Sequence, residues 1–221
     1  MFFTTSWDDG NKMDLKVAKL LNELNLKGTF YIPINWKFKS LSDSGIKKIS
    51  KDFEIGSHSF SHRRMTFLNG ETLRFEVEES KRILEKTIGK KINAFAYPFG
   101  SHSNKTAVAV ENAGYRYART VKEGNFSKPN NPFCSSISLG ITNTSISPLK
   151  IVKRMTSHNS FWFFKTLKKI VDNAGKNSII HISGHSWEFS TNESFEKLSD
   201  MLEYVSKKNV KPIANSNILK L

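Results

Sequence analysis

The sequence predicts an α/β domain in which parallel strands alternate with helices around a sheet or barrel. Short apolar or β-branched runs alternate with segments of helical period along the 221 residues, the pattern of βα units. Four clusters of chemistry-bearing residues fall at the C-terminal ends of four such runs, where parallel α/β folds gather their active sites. Hydrophobic residues are 38% of the chain and aromatics 12%, enough for a sizeable core and too many for a disordered chain. No internal repeat, low-complexity tract or Pro/Gly/Ser linker divides the sequence, so one domain is expected over 1–221.

Taken in order, Phe2–Trp7 reads as the first strand, followed by a helix over Met13–Leu24 with Val17, Leu20, Leu21 and Leu24 on one face. Gly28–Ile32 is the second strand, and Ser42–Ile49 a short helix opened by a Ser cap. Phe53–Ser57 is the third strand. Glu71–Ile88 is the strongest helix, with Leu73, Val77, Ile83, Leu84 and Ile88 on one side and Glu, Lys and Arg on the other. Strands over Ile92–Tyr97, Tyr115–Ala118, Ser135–Leu139, Ser178–Ser183 and Lys211–Ala214 alternate with helices over Ser103–Asn112, Phe161–Asn173 and Glu193–Lys207. Lys122–Pro132, with Pro129, Asn130, Asn131 and Pro132 together, reads as a surface loop over one barrel mouth.

Composition excludes several classes. The single cysteine, Cys134, rules out an internal disulfide framework and a Cys-rich metal site, and reads as a buried small apolar residue. No segment approaches the about 18 uninterrupted apolar residues of a membrane helix; Phe161-Trp162-Phe163-Phe164 stops at Lys165. No basic region and apolar stretch of a secretory signal precedes Asp8, so a native start at Met1 predicts a cytoplasmic protein. The formal net charge of +14 favours anionic partners, but the basic residues are scattered and no nucleic-acid recognition motif accompanies them.

The polar clusters are Asp8-Asp9-Gly10, His58 with His62, Tyr97-Pro98-Phe99-Gly100, and Gly184-His185-Ser186-Trp187-Glu188. Alone, Asp-Asp-Gly is a turn and HxxxH a weak signal. Together on strand ends they converge on one barrel face. Two His and one acid make an open catalytic metal site, and a second, unligated Asp is then a ready base for a water. The clusters read as a metal-dependent hydrolase.

Thr5-Ser6-Trp7-Asp8-Asp9-Gly10 resembles the TFDDG motif of the polysaccharide deacetylases, the NodB-homology carbohydrate esterases of family 4. His58-Ser59-Phe60-Ser61-His62 is similar to that family's H-(S/T)-x-x-H, and Ala96-Tyr97-Pro98-Phe99-Gly100 to its R-x-P-(Y/F)-G with Ala96 in the Arg position. Ile180-His181-Ile182-Ser183-Gly184-His185 resembles its last motif. The resemblance implies an irregular (β/α) barrel of about seven parallel strands. It also implies Asp8 as general base, Asp9, His58 and His62 as metal ligands, the Phe99 backbone N–H as an oxyanion donor, and His185 as the acid for the leaving amine. One divalent ion is implied, Zn²⁺ first, with Co²⁺, Ni²⁺ or Fe²⁺ accepted by the same donors.

His181 competes with His185, since residues four apart in a strand share a face; the loop-like residues after His185 favour it. Tyr97, Pro98 and Trp187 are candidate substrate contacts, while His102 and His158 read as surface residues. Ala96 departs from the family pattern, and Arg119, at the end of the fifth predicted strand, is the candidate replacement that holds Asp8 ionised. The family's acidic fourth motif is not evident, as Val121–Phe126 offers only Glu123.

The expected activity is removal of an N-acetyl group from an amino sugar, in a glycan or a phosphate-linked precursor, with peripheral membrane association and no protein partner. An O-acetyl esterase, a non-sugar amidase, and a catalytically impaired glycan-binding barrel are the alternatives.

Overall fold

The computed structural model describes residues 1–141 and 158–221; His158 and the Phe161, Trp162 and Phe163 side chains lie outside what is described. Its strands are β1 (Phe2–Asp8), β2 (Gly28–Ile32), β3 (Glu54–Ser57), β4 (Ala94–Ala96), β5 (Tyr117–Arg119), β6 (Leu139–Gly140), β7 (Ile179–His185) and β8 (Lys211–Pro212). Its helices are α1 (Asp14–Glu23), α2 (Asp43–Ile49), α3 (Gly70–Ile88), α4 (Asn104–Asn112), α5 (His158–Asn173) and α6 (Asn192–Ser206).

Helices α2, α3, α4 and α6 start where the sequence supplies an acceptor for their free N–H groups. Ser42 caps α2, accepting from Gly45 N, and Asn69 caps α3, accepting from Thr72 N. Ser103 with Thr106 and Thr191 with Ser194 form capping boxes for α4 and α6. The helix α3 stops at Gly89 in the left-handed conformation. Among the described residues, no helix is long and apolar enough to cross a membrane.

The strands run parallel in the order β5-β4-β3-β2-β1-β7-β6, with β8 beside the first two residues of β1. The ring closes loosely. Ser135 bridges Arg119, through Ser135 N to Ala118 O at 2.9 Å and Thr120 N to Ser135 O at 2.8 Å. Seven parallel strands thus curl into the expected irregular (β/α) barrel with helices outside it.

One expectation needs correction. Of the strand expected at Ser135–Leu139 only Leu139 joins a ladder, continued by Gly140, because Ser135 serves the closure on β5 instead. The Lys122–Pro132 segment reaches the N-terminal end of the barrel, where Phe126 O accepts from Ile179 N and the Lys128 ammonium donates to the Leu221 carbonyl.

The main core lies between sheet and helices. Val17 and Leu21 of α1, Leu73, Val77 and Leu84 of α3, and Leu198, Leu202 and Val205 of α6 pack with Phe3, Trp7, Phe30, Ile180 and Ile182. The barrel interior is different, with Tyr31 and Tyr117 among Thr4, Ser6, Thr29 and His181, all fully or nearly fully buried. Gly56 makes room for one of those rings, as a Cβ there would lie 2.4 Å from Tyr31.

The chain's last turn closes the N-terminal end of the barrel. Asn215, fully buried, accepts from the Tyr31 hydroxyl at 2.8 Å and donates to Thr4 Oγ1 at 2.8 Å and Thr5 O at 3.2 Å. Its backbone N–H donates to Thr29 Oγ1, and Ser216 N donates to Glu54 Oε2. Replacing Asn215 by Ala strands several buried polar groups at once. Urea unfolding of Asn215→Ala is expected to show a loss of about 2–3 kcal/mol; a change below about 0.5 kcal/mol would mean that this turn only lies over the opening.

Candidate metal and catalytic site

At the C-terminal end of β1 the chain turns sharply. Asp9 has φ +76° and Gly10 φ +61°, so Asp8 and Asp9 leave the strand in different directions yet face one cleft. The register pairs Asp8 with His185 on β7. His58 follows β3, and its Nδ1–H donates to the Ala96 carbonyl at 2.8 Å. A carbonyl can only accept, so the lone pair of His58 sits on Nε2, 3.8 Å from Asp8 Oδ2 and 3.9 Å from Asp9 Oδ1.

The His58–His62 loop is held in an unusual shape. Ser59 and His62 both have positive φ (+64° and +56°), and His62 N donates to Ser59 Oγ at 3.0 Å. Glu76, buried on α3, accepts from Ser61 N at 2.8 Å and from the Ser61 hydroxyl. Trp36 stacks on the His62 ring at 4.4 Å, and Phe99 meets it edge-on at 4.8 Å. Among the described residues, four of the five non-glycine residues with positive φ (Asp9, Ser59, His62 and Phe99) therefore border this cleft.

These residues fit a divalent cation. One atom each of Asp9, His58 and His62 lies within 4.8 Å of the others. Asp9 Oδ1 is buried with no satisfied hydrogen bond, and His62 Nε2 lies 3.1 Å from it. Burial pushes the His58 imidazole down to about 4 despite Asp8, so it is a neutral ligand at pH 7. Burial alone would raise Asp9, but the imidazoles of His62, His58 and His185 outweigh it and hold the carboxyl far below the usual range. Two imidazole nitrogens and a carboxylate oxygen are the donor set of an open catalytic site.

Asp8 has a cation of its own. Arg119, fully buried, donates through Nη2 to Asp8 Oδ1, and its guanidinium lies 4.8 Å over the Tyr31 ring. Burial raises the Asp8 carboxyl, but Arg119, then His58 and His185, overcome that and leave it lowered. The register of β4 and β5 sets Arg119 directly opposite Ala96. The arginine expected at position 96 is thus supplied one strand over.

The two candidate acids separate. His181 is buried, its Nε2 2.7 Å from Ser6 Oγ, and burial followed by Arg119 pushes it down to about 3. His185 opens to the cleft, with Nε2 3.7 Å from Asp9 Oδ2 and Nδ1 3.0 Å from Glu188 Oε1. Burial lowers it, but Glu188, Asp8 and Asp9 outweigh that and raise it above its ordinary value. Trp187 stacks on His185, donates to Asp9 Oδ2 at 3.3 Å and is 40% exposed, as a wall of the cleft would be.

Not every expected residue reaches the cleft. Tyr97 and Pro98 are buried, and the Tyr97 hydroxyl donates to Phe133 O, so neither side chain is placed to touch a substrate. Their turn closes through Gly100 N to Tyr97 O at 2.8 Å and Ser101 N to Pro98 O at 3.0 Å, leaving the Phe99 N–H outside those bonds. Gly100 is required there by its φ of +65° and by Val121, 2.5 Å from where a Cβ would stand. Cys134 is half-buried rather than core, its Sγ 3.0 Å from His102 Nε2. Glu123 is spent on Gly140 N and does not stand in for the family's fourth motif.

Sequence reasoning gave no role to Glu76, Glu188 or Trp36, whose partners are set by tertiary contact. It also missed Asp14, fully buried on α1 with no hydrogen bond to either carboxylate oxygen. Burial, reinforced by Asp8 and Asp9, raises the Asp14 carboxyl well above the ordinary carboxylate range.

His181 makes stability depend on pH. Unfolded, it binds a proton below about 6.5; folded, it refuses one down to about 3. The unfolded chain therefore holds more protons in that window, and stability falls as pH is lowered through it. Urea titrations from pH 7 to 4 are expected to show this slope, flattened in His181→Gln; an unchanged slope would clear His181 of the effect.

Residues 3–118 match the family model described as polysaccharide deacetylase. A protein of Bacillus subtilis strain 168, the uncharacterized protein YlxY, is 34% identical over 93 residues, which are 42% of this chain and 28% of that protein. The chain thus spans little more than a quarter of that relative's length. Among solved structures, a family 4 carbohydrate esterase from Streptomyces lividans in complex with acetate has a TM-score of 0.67 at 11% identity, covering 96% of this chain and 91% of that one. A CE4 family pseudoenzyme from Bacillus anthracis has a TM-score of 0.66 at 15% identity, covering 99% and 65%. At such identities these two likenesses concern the fold alone.

Proposed function

The chain belongs to the polysaccharide deacetylase family, and on that premise we propose that it is a metal-dependent hydrolase that removes the N-acetyl group of an amino sugar. The observation that carries the reading is Asp8, a buried carboxylate kept ionised by Arg119 beside the Asp9, His58 and His62 trio. A glycan-binding barrel has no use for a base poised beside a ligand set, and Arg119 answers the loss of arginine at position 96.

Asp9, His58 and His62 hold the ion, Zn²⁺ before Co²⁺, Ni²⁺ or Fe²⁺. When bound, it supplies Lewis acidity towards the amide carbonyl and acidifies a water. Asp8 accepts the proton of the attacking water through Oδ2, the oxygen left free by Arg119. The Phe99 N–H offers a hydrogen bond to the developing oxyanion. His185, oriented by Glu188 and kept protonated to higher pH than an ordinary imidazole, delivers a proton to the departing amine. Trp187 is the apolar wall for the sugar ring or acetyl methyl.

Acetate release from N-acetylglucosamine oligomers and nucleotide-linked N-acetyl sugars, with chelated enzyme and after Zn²⁺ or Co²⁺ is restored, tests the reading. Metal-dependent release is expected, greatest on a phosphate-linked sugar given the net charge of +14. Release only from O-acetyl esters would replace the amidase by an esterase, and silence despite one bound ion would leave a binding barrel.

Two substitutions test the roles. Asp8→Asn is expected to keep the metal but lose about 10²–10⁴-fold in kcat; full activity removes the proposed base. Arg119→Met leaves a buried carboxylate unpaired, so both turnover and about 3–5 kcal/mol of stability are expected to go. Unchanged urea unfolding would show the pair to be dispensable.

A further inference from the structure

The loops that follow β2, β3 and β4 form one sector of the cleft's mouth. The sector is continuous: Trp36 joins Phe38 and His62, Arg64 covers Phe99, and Thr66 Oγ1 meets Ser101 Oγ at 2.8 Å. Large apolar rings stand in water there. Phe38 is 58% exposed, Phe67 82% and Phe99 47%. Such grouping is uncommon on a soluble surface without a partner.

The same loops are uniformly basic. Residues 33–41, 58–69 and 97–105 contain Lys37, Lys39, Arg63, Arg64 and Lys105, and not one Asp or Glu. Charge and ring are coupled in place, with the Lys37 ammonium 4.8 Å from the Phe38 ring centre and the Arg64 guanidinium 4.7 Å from that of Phe99. The nearest acids along the chain, Asp43 and Glu71, belong to the first turns of α2 and α3, outside these loops. Rings backed by cations, with no acids among them, are the complement of a bilayer surface, where aromatic groups settle at the headgroup boundary and Lys and Arg meet lipid phosphates.

We propose that this sector docks on an anionic lipid bilayer, with Phe67 and its neighbouring rings seated among the headgroups and the cleft opening towards the membrane. This surface does not depend on the deacetylase reading. If both hold, the acetylated sugar is one presented at a membrane.

The test is cosedimentation of the whole chain with vesicles of phosphatidylcholine alone and of phosphatidylcholine mixed with phosphatidylglycerol. Wild type is expected to pellet with the mixed vesicles and not with the neutral ones. Phe67→Ser and Arg63→Ala are each expected to lower partitioning about fivefold. Both residues are exposed, so the variants should keep the wild-type fold, as circular dichroism would check. Phe126→Ser, at the opposite end of the barrel and 38% exposed, is the control and should bind as wild type does.

Absence of pelleting overturns the proposal. So does wild-type binding by Phe67→Ser and Arg63→Ala, which would attribute the affinity to overall charge, or an equal loss in Phe126→Ser. Binding is read without turnover, so failure of the deacetylase assay leaves this test intact.

Discussion

Two neighbouring carboxylates buried at the end of one strand repel each other, and each must find a cation or take up a proton. The barrel meets this demand residue by residue. Asp8 receives Arg119, brought across by the β4–β5 register, and Asp9 receives imidazoles and an open side for a metal ion. A third acid, Asp14, lies buried without a hydrogen bond to either carboxylate oxygen, and its carboxyl is pushed up where those of Asp8 and Asp9 are pulled down. The partners the fold brings to each carboxyl set the direction. Similar likeness in fold is compatible with active and inactive proteins alike, and chemistry here rests on these pairings.

The second constraint is conformational. Asp9, Ser59, His62 and Phe99 occupy a backbone region that costs side-chain-bearing residues free energy. Each is fixed by something packed or bonded around it. Glu76 anchors the loop between the two histidines, Trp36 and Phe99 flank the His62 ring, and the Ala96 carbonyl selects the His58 tautomer. A site held this way changes little when a ligand arrives, so less ordering remains to be done at that moment.

Much of this was legible in the sequence. The polar clusters at strand ends gave the barrel face, and the family resemblance, by marking Ala96 as a departure, directed attention to Arg119 after a short apolar run as the partner of Asp8. Period-based boundaries for the long elements hold within a few residues, as α1, α3 and β2 show. The short strand β6 does not, because the residues before it are taken up where the ring closes around Ser135. Glu76 reads as one more acid on the polar side of its helix, and Glu188 as the end of a polar cluster with no assigned partner, since nothing local reveals the serine or histidine brought alongside by the fold. Tyr97 misled for the reverse reason: it sits in a motif that borders the cleft, yet its ring turns into the wall.

The first strand lies at the middle of the sheet, paired to β2 on one side and β7 on the other, while Asn215 fastens Thr4 and Tyr31 from the far end of the chain. Made on a ribosome, β1 emerges well before β7 and the Asn215 turn that complete its pairing. Contacts of such long sequence separation form slowly. For most of synthesis the nascent chain therefore carries an apolar strand with one open edge, a target for chaperones and for neighbouring chains on the same messenger. A chain cut just before Asn215 would keep Asp8, Asp9, His58 and His62 and leave Thr4 and Tyr31 without their buried partner.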